Sequence, residues 1–502
     1  MASRIVRDIP FNRVEGDLEV GIEVTDGRIT DAWSAGTLYR GFENMMKGRG
    51  ALDGLVMTPR ICGICSTTHL SAAAQALDAI AGLTPPDNAV RVRNVALMVE
   101  HMQSDVRQSV LMYMADFAQE AHGRHPLHDE ALRRYAPAAG SSALDTIRET
   151  KRLIEAIGVL GGQWPHSSFM VPGGIAFAPS QAGVLQCRQI VDTFRGWYER
   201  RVLGCSLARW AAVDSGAALD AWLDESLAHR ESEVGFLLRF GREAGLDAIG
   251  AGPGAFLSYG AFDLPRETAV AAPGGKLIAA GLARATTVEA FDPGRIAEDV
   301  SHAWYRDSGA LHPAAGETTP YASGRAGRAY SWIKAPRYDG RVIETGPLAE
   351  AVVDRRPLFV DLVANGRTSA LVRQLARLTR PAILLPAVDA WLQELLAAHG
   401  APIVVGDGHI PDGEGCGLLE AARGALGHWV RIEEGRIAGY QIITPTAWNG
   451  SPRDAAGRRG AWEEAMIGTP VADPENPVEA GHVVRSFDPC LVCAVHTVRR
   501  RA

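Results

Sequence analysis

Four of the seven cysteines in this sequence lie in two Cys-x-x-Cys pairs near opposite ends of the chain. The first pair is Cys62 and Cys65, and the second is Cys490 and Cys493. Thiolates are soft ligands that select zinc, copper(I), nickel or iron–sulfur chemistry. Two such pairs can supply four sulfurs to one centre, so the pattern indicates a metal centre that ties both chain ends into one core.

Other chemistries for these pairs stay open at this point. Four cysteines can close a tetrahedron around a structural zinc ion, although zinc ribbons usually keep their pairs within about 20 residues, whereas most of this chain separates the two pairs. A thioredoxin-like redox pair fits less well, because neither pair follows a clear strand and opens a βαβ unit. The remaining cysteines are expected to be small buried hydrophobic residues: Cys187, Cys205 and Cys416.

The composition excludes several classes of function. The 502 residues are 47% hydrophobic and 22% charged, which allows a large core and rules out a disordered chain. The net charge of −7 gives no basic footprint for nucleic acid. No apolar run reaches the roughly 18 residues of a membrane span, and the N-terminus lacks the apolar core of a secretion signal. We therefore expect a cytoplasmic protein whose membrane association or export depends on a partner subunit.

Hydrophobic periodicity predicts an α+β fold with a mainly helical core. Nothing in the sequence marks a domain boundary, so we expect one large domain over residues 1–502. Its predicted order is N-terminal strands with a hairpin, then loop (1–60), a helical core (61–244), an irregular excursion that contains strands (245–345), and C-terminal helices and strands with the second cysteine pair (346–502).

Several elements within this order are specific predictions. The longest helix should run from Asn88 to Phe117, where apolar residues recur at helical spacing. Ser180 is a candidate N-cap for the first of two long helices. The full set comprises a β-hairpin turning at Asp26-Gly27, helices over 70–80, 141–160, 180–212, 216–242 and 346–398 (interrupted at Pro381 and Pro386), a strand–turn–strand over 427–443 and a loop over 444–456.

A series of ordered motifs resembles the large, catalytic subunit of nickel–iron hydrogenases. One Cys-x-x-Cys pair alone is a weak signal, but the motifs follow one another over nearly the whole chain. They are Arg13-Val14-Glu15-Gly16, Tyr39-Arg40-Gly41-Phe42-Glu43, Arg60-Ile61-Cys62-Gly63-Ile64-Cys65 with His69, Glu420-Ala421-Ala422-Arg423-Gly424-Ala425-Leu426-Gly427-His428-Trp429, Pro445-Thr446-Ala447-Trp448-Asn449, Ser451-Pro452-Arg453 and Asp488-Pro489-Cys490-x-x-Cys493-x-x-His496.

The resemblance implies a nickel–iron centre that splits dihydrogen heterolytically. Cys62 and Cys490 would be terminal nickel ligands, and Cys65 and Cys493 would bridge nickel to an iron that carries cyanide and carbon monoxide. A base must take the proton that the reaction releases. By resemblance Glu15 is that first proton acceptor, beyond the Cys490 sulfur, although the residues alone would suggest an ordinary strand glutamate.

Further residues receive roles from the same resemblance. Arg423 would overhang the metal pair with the carboxylates of Asp488 and Asp105 nearby, whereas without the resemblance it would simply pair with Glu420. Thr446 would hydrogen-bond a cyanide ligand, and His69 would orient the centre without ligating it.

The resemblance also implies a second metal site and a gas filter. Glu43, His496 and a backbone carbonyl near Ile442 would bind magnesium or iron(II), which prefer hard oxygen ligands. Ile64, inside the first cysteine pair, and Met112, on the long helix, would restrict gas access.

The expected function is hydrogen oxidation with electron transfer to a second polypeptide. No further cysteine clusters exist for iron–sulfur centres, so an iron–sulfur small subunit is required, together with maturation proteins. The alternative is a hydrogen sensor of the same fold with low turnover that signals to a kinase. A non-catalytic relative from a respiratory proton-pumping complex is remote, because those relatives lack the four thiols.

Departures from the family pattern favour its cytoplasmic uptake and hydrogen-sensing branch. Asp17 stands where the family usually has histidine, and the helix around Asp105 lacks the His/Phe/Tyr/His cluster of respiratory members. Ala422 replaces the usual proline before Arg423, which should loosen that turn. Only Thr497–Ala502 follow His496, a length between members with a removable C-terminal peptide and sensors without one.

Overall fold

Three antiparallel strands begin the computed structural model, which describes residues 4–323 and 327–494. The predicted hairpin is confirmed, since the second and third strands pair on either side of Asp26-Gly27. Apolar residues that alternate along the second strand are buried against the core. The strands are β1 (Arg4–Phe11), β2 (Leu18–Thr25) and β3 (Arg28–Gly36).

Helices follow, and the helix predicted after the first cysteine pair is confirmed. Two short helices precede the pair, and a longer one begins directly after Cys65. The helix predicted over 141–160 is also confirmed. These helices are α1 (Phe42–Met46), α2 (Asp53–Met57), α3 (Ser66–Ala81), α4 (Asp87–Arg107), α5 (His128–Tyr135) and α6 (Ser141–Gly161).

The long helix predicted to start near Asn88 is confirmed in its extent, but its hydrogen-bond pattern changes after α4. A π-helical turn, Gln108–Tyr113, and a 3-10 turn, Met114–Ala118, complete it. A π turn inserts a residue and rotates the face that follows. Here the buried Gln108 Nε2 donates to the Arg485 carbonyl at 2.7 Å. Apolar periodicity does not predict such a turn, and the polar contact made there is with a residue far away in sequence.

The prediction of two long helices over 180–212 and 216–242 is wrong. A serine side chain accepts a backbone N–H at the start of each of the five helices found there, so each serine begins a new helix. Ser180 is confirmed as the first of these caps. The helices are α7 (Gln181–Trp197), which continues into a π-helical turn (Tyr198–Leu203), α8 (Leu207–Ala211), α9 (Gly216–Glu225), α10 (Leu227–Glu231) and α11 (Glu233–Glu243).

The strands predicted within 245–345 are present and form two sheets. One has four strands in the order β11-β6-β7-β8, with β11 parallel to β6, and the other pairs β9 with β10. A small hairpin, β4 with β5, precedes them in the chain. The strands are β4 (Met170–Val171), β5 (Gly174–Ile175), β6 (Ala255–Asp263), β7 (Lys276–Arg284), β8 (Thr287–Glu289), β9 (Ile296–Asp299), β10 (Ala335–Tyr338) and β11 (Glu344–Thr345).

Helix resumes where predicted after the excursion, and the predicted interruption at Pro381 is confirmed because a new helix starts there. The predicted interruption at Pro386 is wrong, since Pro386 lies inside that helix. The segment predicted as a loop over 444–456 contains one short helix. The remaining helices are α12 (Pro347–Val353), α13 (Pro357–Ala364), α14 (Ala370–Thr379), α15 (Pro381–Ala397), α16 (Pro445–Asn449), α17 (Ala461–Met466), α18 (Val478–Ser486) and α19 (Leu491–Ala494).

The last sheet has one strand more than the predicted strand–turn–strand. The additional strand is rich in glycine, and a Cβ at Gly417 would lie 2.0 Å from the Ala72 carbonyl oxygen. Glycine is therefore required because α3 crosses directly over the strand, and this contact is not visible in the sequence. The antiparallel strands are β12 (Gly413–Ala421), β13 (Gly424–Glu433) and β14 (Arg436–Ile443).

Packing brings the two cysteine pairs together between these layers. α4 packs against α6 and α15, while β12 lies on α3. The buried apolar side chains form one large contiguous cluster, and the four thiols form a small separate one. Among the described residues, no helix combines the length and apolar character that a membrane crossing requires.

Candidate metal centre

The four predicted ligands lie together as a buried cluster of free thiols, called the thiol cluster below. Their sulfur atoms all lie within 4.8 Å of one another. The Sγ atoms of Cys62 and Cys490 are 3.6 Å apart, and those of Cys65 and Cys493 are 3.4 Å apart. The Sγ atoms of Cys490 and Cys493 are 3.0 Å apart, so the structure gathers both Cys-x-x-Cys units into one cluster.

Backbone contacts with the N-terminal segment fix the second cysteine pair. The Leu491 amide donates to the Glu15 carbonyl at 2.6 Å, and the Glu15 amide donates to the Pro489 carbonyl at 3.3 Å. Gly16 follows with φ of 87°, and a Cβ there would lie 2.9 Å from the Val492 nitrogen. Only glycine fits this close approach, so the Glu15-Gly16 sequence lets the Glu15 backbone pair with that of Cys490.

Arg40 joins the two cysteine pairs, a role that the sequence analysis did not assign. Its Nη2 donates to the carbonyls of Ile61 and Val492, which precede Cys62 and Cys493. The signal was present in the Tyr39-Arg40-Gly41 motif, but a sequence motif does not specify which carbonyls an arginine reaches.

Glu100, another residue that the sequence analysis missed, holds the start of α3. Its carboxylate accepts the amides of Thr67 at 2.8 Å and Thr68 at 3.0 Å, and the Thr68 hydroxyl at 2.7 Å. A carboxylate at a helix N-terminus satisfies free N–H groups and interacts well with the helix dipole. Glu100 therefore anchors the first turn after Cys65.

The Glu15 side chain is half-buried beside the thiols. Burial raises the pKa of this carboxyl, and the negative charges of Cys62 and Asp488 raise it further, while Arg423 and Arg40 oppose them. A carboxyl with a raised pKa near a reacting centre is suited to take up and release a proton.

The pKa values of the thiols diverge within the cluster. Hydrogen bonds from the neighbouring thiols lower the pKa of Cys62 well below its usual range. The pKa of Cys65 and that of Cys493 are raised, for Cys65 chiefly by its contact with Cys490 and for Cys493 chiefly by burial. Four thiolates at this spacing repel one another, and a bound cation removes that repulsion.

Arg423 lies in the turn between β12 and β13, as expected for a group overhanging the thiols. Its Nε lies 3.1 Å from Asp488 Oδ2, so the predicted neighbour Asp488 is in place. Asp105 instead pairs with Arg380, at 2.9 and 2.7 Å, and reaches Asp488 only through Arg377.

Glu420 does not provide the alternative partner considered for Arg423. It accepts the Tyr259 amide at 2.6 Å, and burial raises its pKa well above the usual range.

Thr446 and His69 line the small cavity beside the thiols. The Thr446 hydroxyl oxygen accepts the Cys490 amide at 2.9 Å, which leaves its hydrogen free to donate. His69 Nδ1 lies 3.1 Å from His428 Nε2, and His428 Nδ1 lies 2.9 Å from the Tyr440 hydroxyl. Burial lowers the pKa of His69 to about 4, so this chain of hydrogen bonds orients a neutral imidazole.

Glu43 lies in a second buried polar group, called the carboxylate cluster below. Its Oε1 accepts the Ile442 amide at 3.0 Å, and Lys334 Nζ lies 3.3 Å from its Oε2 and 3.4 Å from Glu298 Oε2. Burial raises the pKa of Glu298 to about 7 against the opposing charge of Lys334. The cluster comprises Glu43, Glu298, Thr318, Lys334 and Gln441.

Ile442 therefore contributes its N–H to Glu43 in this arrangement. His496, the third expected ligand, lies outside the described residues, so its role stays a prediction.

The two residues expected to restrict gas access occupy different environments. Ile64 packs against the thiol cluster together with Val492. Met112 is half-buried in the π-helical turn after α4. Its part in a gas filter stays a prediction.

The donor set fits a nickel–iron centre better than a closed structural zinc site. Four thiolates satisfy a soft metal, and the cavity beside them leaves one side open for a small ligand, unlike structural zinc sites. The cavity is lined by Arg423 and Thr446, which present hydrogen-bond donors, and by His69, whose Nδ1 contacts His428.

Comparison with known proteins agrees with this geometry. A family model described as nickel-dependent hydrogenase matches residues 40–114 and 242–496. The chain belongs to the nickel-dependent hydrogenase family. The match includes both cysteine pairs, Glu43 and Arg423.

Individual relatives extend the likeness over the full length. The chain is 31% identical to the periplasmic [NiFeSe] hydrogenase large subunit of Desulfomicrobium baculatum, covering 97% of this chain and 94% of that protein. It is 31% identical to the uptake hydrogenase large subunit of Rhodobacter capsulatus, covering 99% and 95%. The Ni-Fe-Se hydrogenase structure from D. vulgaris Hildenborough matches with a TM-score of 0.83 at 29% identity, covering 99% and 100%. The chain is accordingly a hydrogenase large subunit, the catalytic subunit.

Proposed function

We propose that the thiol cluster holds a nickel–iron centre, with Cys62 and Cys490 as terminal nickel ligands and Cys65 and Cys493 bridging to iron. The iron of such a centre would carry cyanide and carbon monoxide, with Arg423 and Thr446 as nearby hydrogen-bond donors. The observation that carries this proposal is the cluster of four buried, free sulfurs beside a small cavity lined by those donors. Such a centre, when bound, supplies the heterolytic splitting of dihydrogen and takes up its electron pair.

The chain's own residues handle the proton and hold small ligands. Glu15 takes the proton at a carboxylate oxygen, because its raised pKa and its place beside the thiol cluster suit that transfer. Arg423 presents a permanently charged guanidinium toward the cavity and thereby holds diatomic ligands. Thr446 donates its free hydroxyl hydrogen, and His69 keeps the cavity wall in one orientation.

Electrons leave through another polypeptide. Within the described residues, the thiol cluster is the only group of three or more metal-binding side chains found close enough to share an ion. The relatives are named large subunits, which supports a heterodimer with a small subunit that carries iron–sulfur clusters. Insertion of the metals would need maturation proteins.

A magnesium or iron(II) ion bound by Glu43, His496 and the Ile442 carbonyl is a further part of the proposal. The carboxylate cluster supports it with hard oxygen donors and with two carboxylates against one lysine.

The names of the relatives favour an uptake enzyme over a sensor that signals to a kinase. The cytoplasmic location stays a prediction, since one relative is named periplasmic.

Turnover of the purified complex tests the function. An enzyme should reduce a redox dye with dihydrogen at about 1 to 1,000 turnovers per second. Dihydrogen binding without dye reduction would contradict the uptake function and support the sensor.

A further inference from the structure

Arg423 stands on a tight turn whose position decides where its guanidinium lies. Ala421 pairs with Gly424 across β12 and β13, so Ala422 and Arg423 form the two-residue turn. One side of the turn is held by close packing, since a Cβ at Gly424 would lie 2.3 Å from Thr345 Oγ1. The contacts on the opposite side of the turn therefore determine whether Arg423 has one position or several.

Two buried arginines reach that opposite side. Nη1 of Arg377 lies 3.1 Å and Nη2 of Arg380 lies 2.7 Å from the carbonyl oxygen of Ala422, the residue before Arg423. The arginines are three residues apart at the junction of α14 and α15, a spacing that places them on one face. A buried carbonyl that accepts two charge-assisted hydrogen bonds is held firmly.

Carboxylates fix both arginines in turn. Arg380 donates Nε and Nη2 to the two oxygens of Asp105, and Nη1 to Glu350 Oε1 at 2.6 Å. Arg377 Nη1 lies 3.2 Å from Asp488 Oδ2, the oxygen that faces Arg423. All members are buried, and their charges alternate along the series Glu350, Arg380, Asp105, Arg377, Asp488 and Arg423.

We propose that Arg377 and Arg380 are positioning residues that clamp the Ala422–Arg423 turn and thereby hold the Arg423 guanidinium beside the thiol cluster. Ala422 supplies the reason for the clamp, because alanine leaves φ free where proline would fix it. The two hydrogen bonds to the Ala422 carbonyl come from residues outside the turn and supply the rigidity that the turn itself lacks. The claim that the clamp holds the Arg423 guanidinium beside the thiol cluster rests on the role proposed for Arg423. The claim that the two arginines restrain the turn can be measured on the turn alone.

Amide hydrogen exchange of the peptide spanning 418–428, measured in the purified complex, tests the clamp. Arg380→Lys keeps the charge but loses the planar fork. Arg91→Lys is the matched control, because Arg91 is also a buried arginine on the α4–α15 interface, with Nε 2.8 Å from Glu394. It lies on α4 about 21 Å from Asp105 at 1.5 Å rise per residue.

We expect R380K to speed exchange of the turn by about tenfold, the scale of one lost hydrogen bond to a charged group. R91K should leave the turn at the parent rate. Arg377→Lys should act in the same direction as R380K. Parent-like exchange in R380K, or equal acceleration by R91K, would overturn the clamp.

Ala422→Pro in the R380K background tests how the clamp works. Ala421 is an extended strand residue, the conformation favoured before proline, and Ala422 has a negative φ. Exchange of the turn slower in R380K/A422P than in R380K supports the proposal, and equal or faster exchange contradicts it.

Isotope exchange between dihydrogen and solvent, normalised to nickel content, separates the two halves of the inference. If R380K lowers the isotope exchange and A422P in the R380K background restores it, the clamp is linked to Arg423. A loosened turn with undiminished isotope exchange would contradict the role proposed for Arg423 and leave the clamp standing.

Discussion

The thiol cluster and the carboxylate cluster are both buried, but only the second contains a counter-charge among its own side chains. Lys334 lies between Glu43 and Glu298, and its Nζ donates to Gln441 Oε1 at 2.8 Å. The four sulfurs have one another as hydrogen-bond partners, and the nearby Arg423 is already offset by Asp488. Buried charges without a counter-charge are costly, so four thiolates in the first cluster would need a bound metal cation, whereas the second cluster can stabilise the fold directly.

Because of this contrast, we expect nickel loading to require each sulfur of the thiol cluster. Cys490→Ser should abolish nickel incorporation, because a hard hydroxyl replaces a soft thiolate at a position that faces all the other sulfurs. Cys187→Ser is the control, since Cys187 is buried outside the thiol cluster and its Sγ donates to the Ala156 carbonyl at 3.7 Å. Metal analysis of both proteins decides the matter, and full nickel in C490S would contradict the ligand assignment.

Proton transfer should depend on one carboxyl beside the thiols. Glu15→Gln should lower isotope exchange between dihydrogen and solvent by about a hundredfold or more, the usual contribution of a positioned acid–base group. The amide cannot take the proton at neutral pH, while nickel content should stay unchanged. Glu19→Gln, a nearby carboxyl on β2, should exchange at the parent rate. Undiminished exchange in E15Q would show that another group carries the proton.

Loss of the lysine in the carboxylate cluster should change the stability of the protein rather than its nickel content. Lys334→Met leaves two buried carboxylates without their cation, which should destabilise the protein by about 3–5 kcal/mol. Lys276→Met removes an exposed pair with Asp263 and should cost less than about 1 kcal/mol. Thermal unfolding of the two variants provides the comparison. Equal midpoints would show that the cluster does not stabilise the fold.

The smallest expected effect concerns gas access to the thiol cluster. Ile64→Ala should speed inactivation by dioxygen by about threefold if Ile64 narrows the path, because a close-packed interior transmits the loss of a few methyl groups. Val492 packs against the same cluster, so Val492→Ala is the matched control. Equal inactivation rates in air for the two variants would reduce Ile64 to core packing.

Local patterns in the sequence predicted the features that depend on residues close together along the chain. The alternation of Leu18, Val20, Ile22 and Val24 predicted a half-buried strand, and the two cysteine pairs predicted the metal centre. The serines that begin new helices between α7 and α11 are also visible in the sequence, but the continuous apolar spacing predicted two longer helices there.

Contacts between distant segments escaped prediction because no spacing encodes them. β12 was missed because its glycines are explained only by α3 lying over them. Arg40 and Glu100 hold the cysteine pairs through partners that lie far apart along the chain. The sequence analysis placed Asp105 near Arg423, but Asp105 pairs with Arg380, whose guanidinium comes from a helix junction 275 residues along the chain.

The composition of the thiol cluster is the central claim, and one combined measurement tests it most directly. Metal analysis with infrared spectroscopy of the purified complex should find nickel and iron together with the stretching bands of cyanide and carbon monoxide. The bands should vanish with the nickel in C490S and persist in E15Q. Zinc in place of nickel, with no such bands in the unaltered protein, would contradict the nickel–iron centre and leave a structural metal in its place.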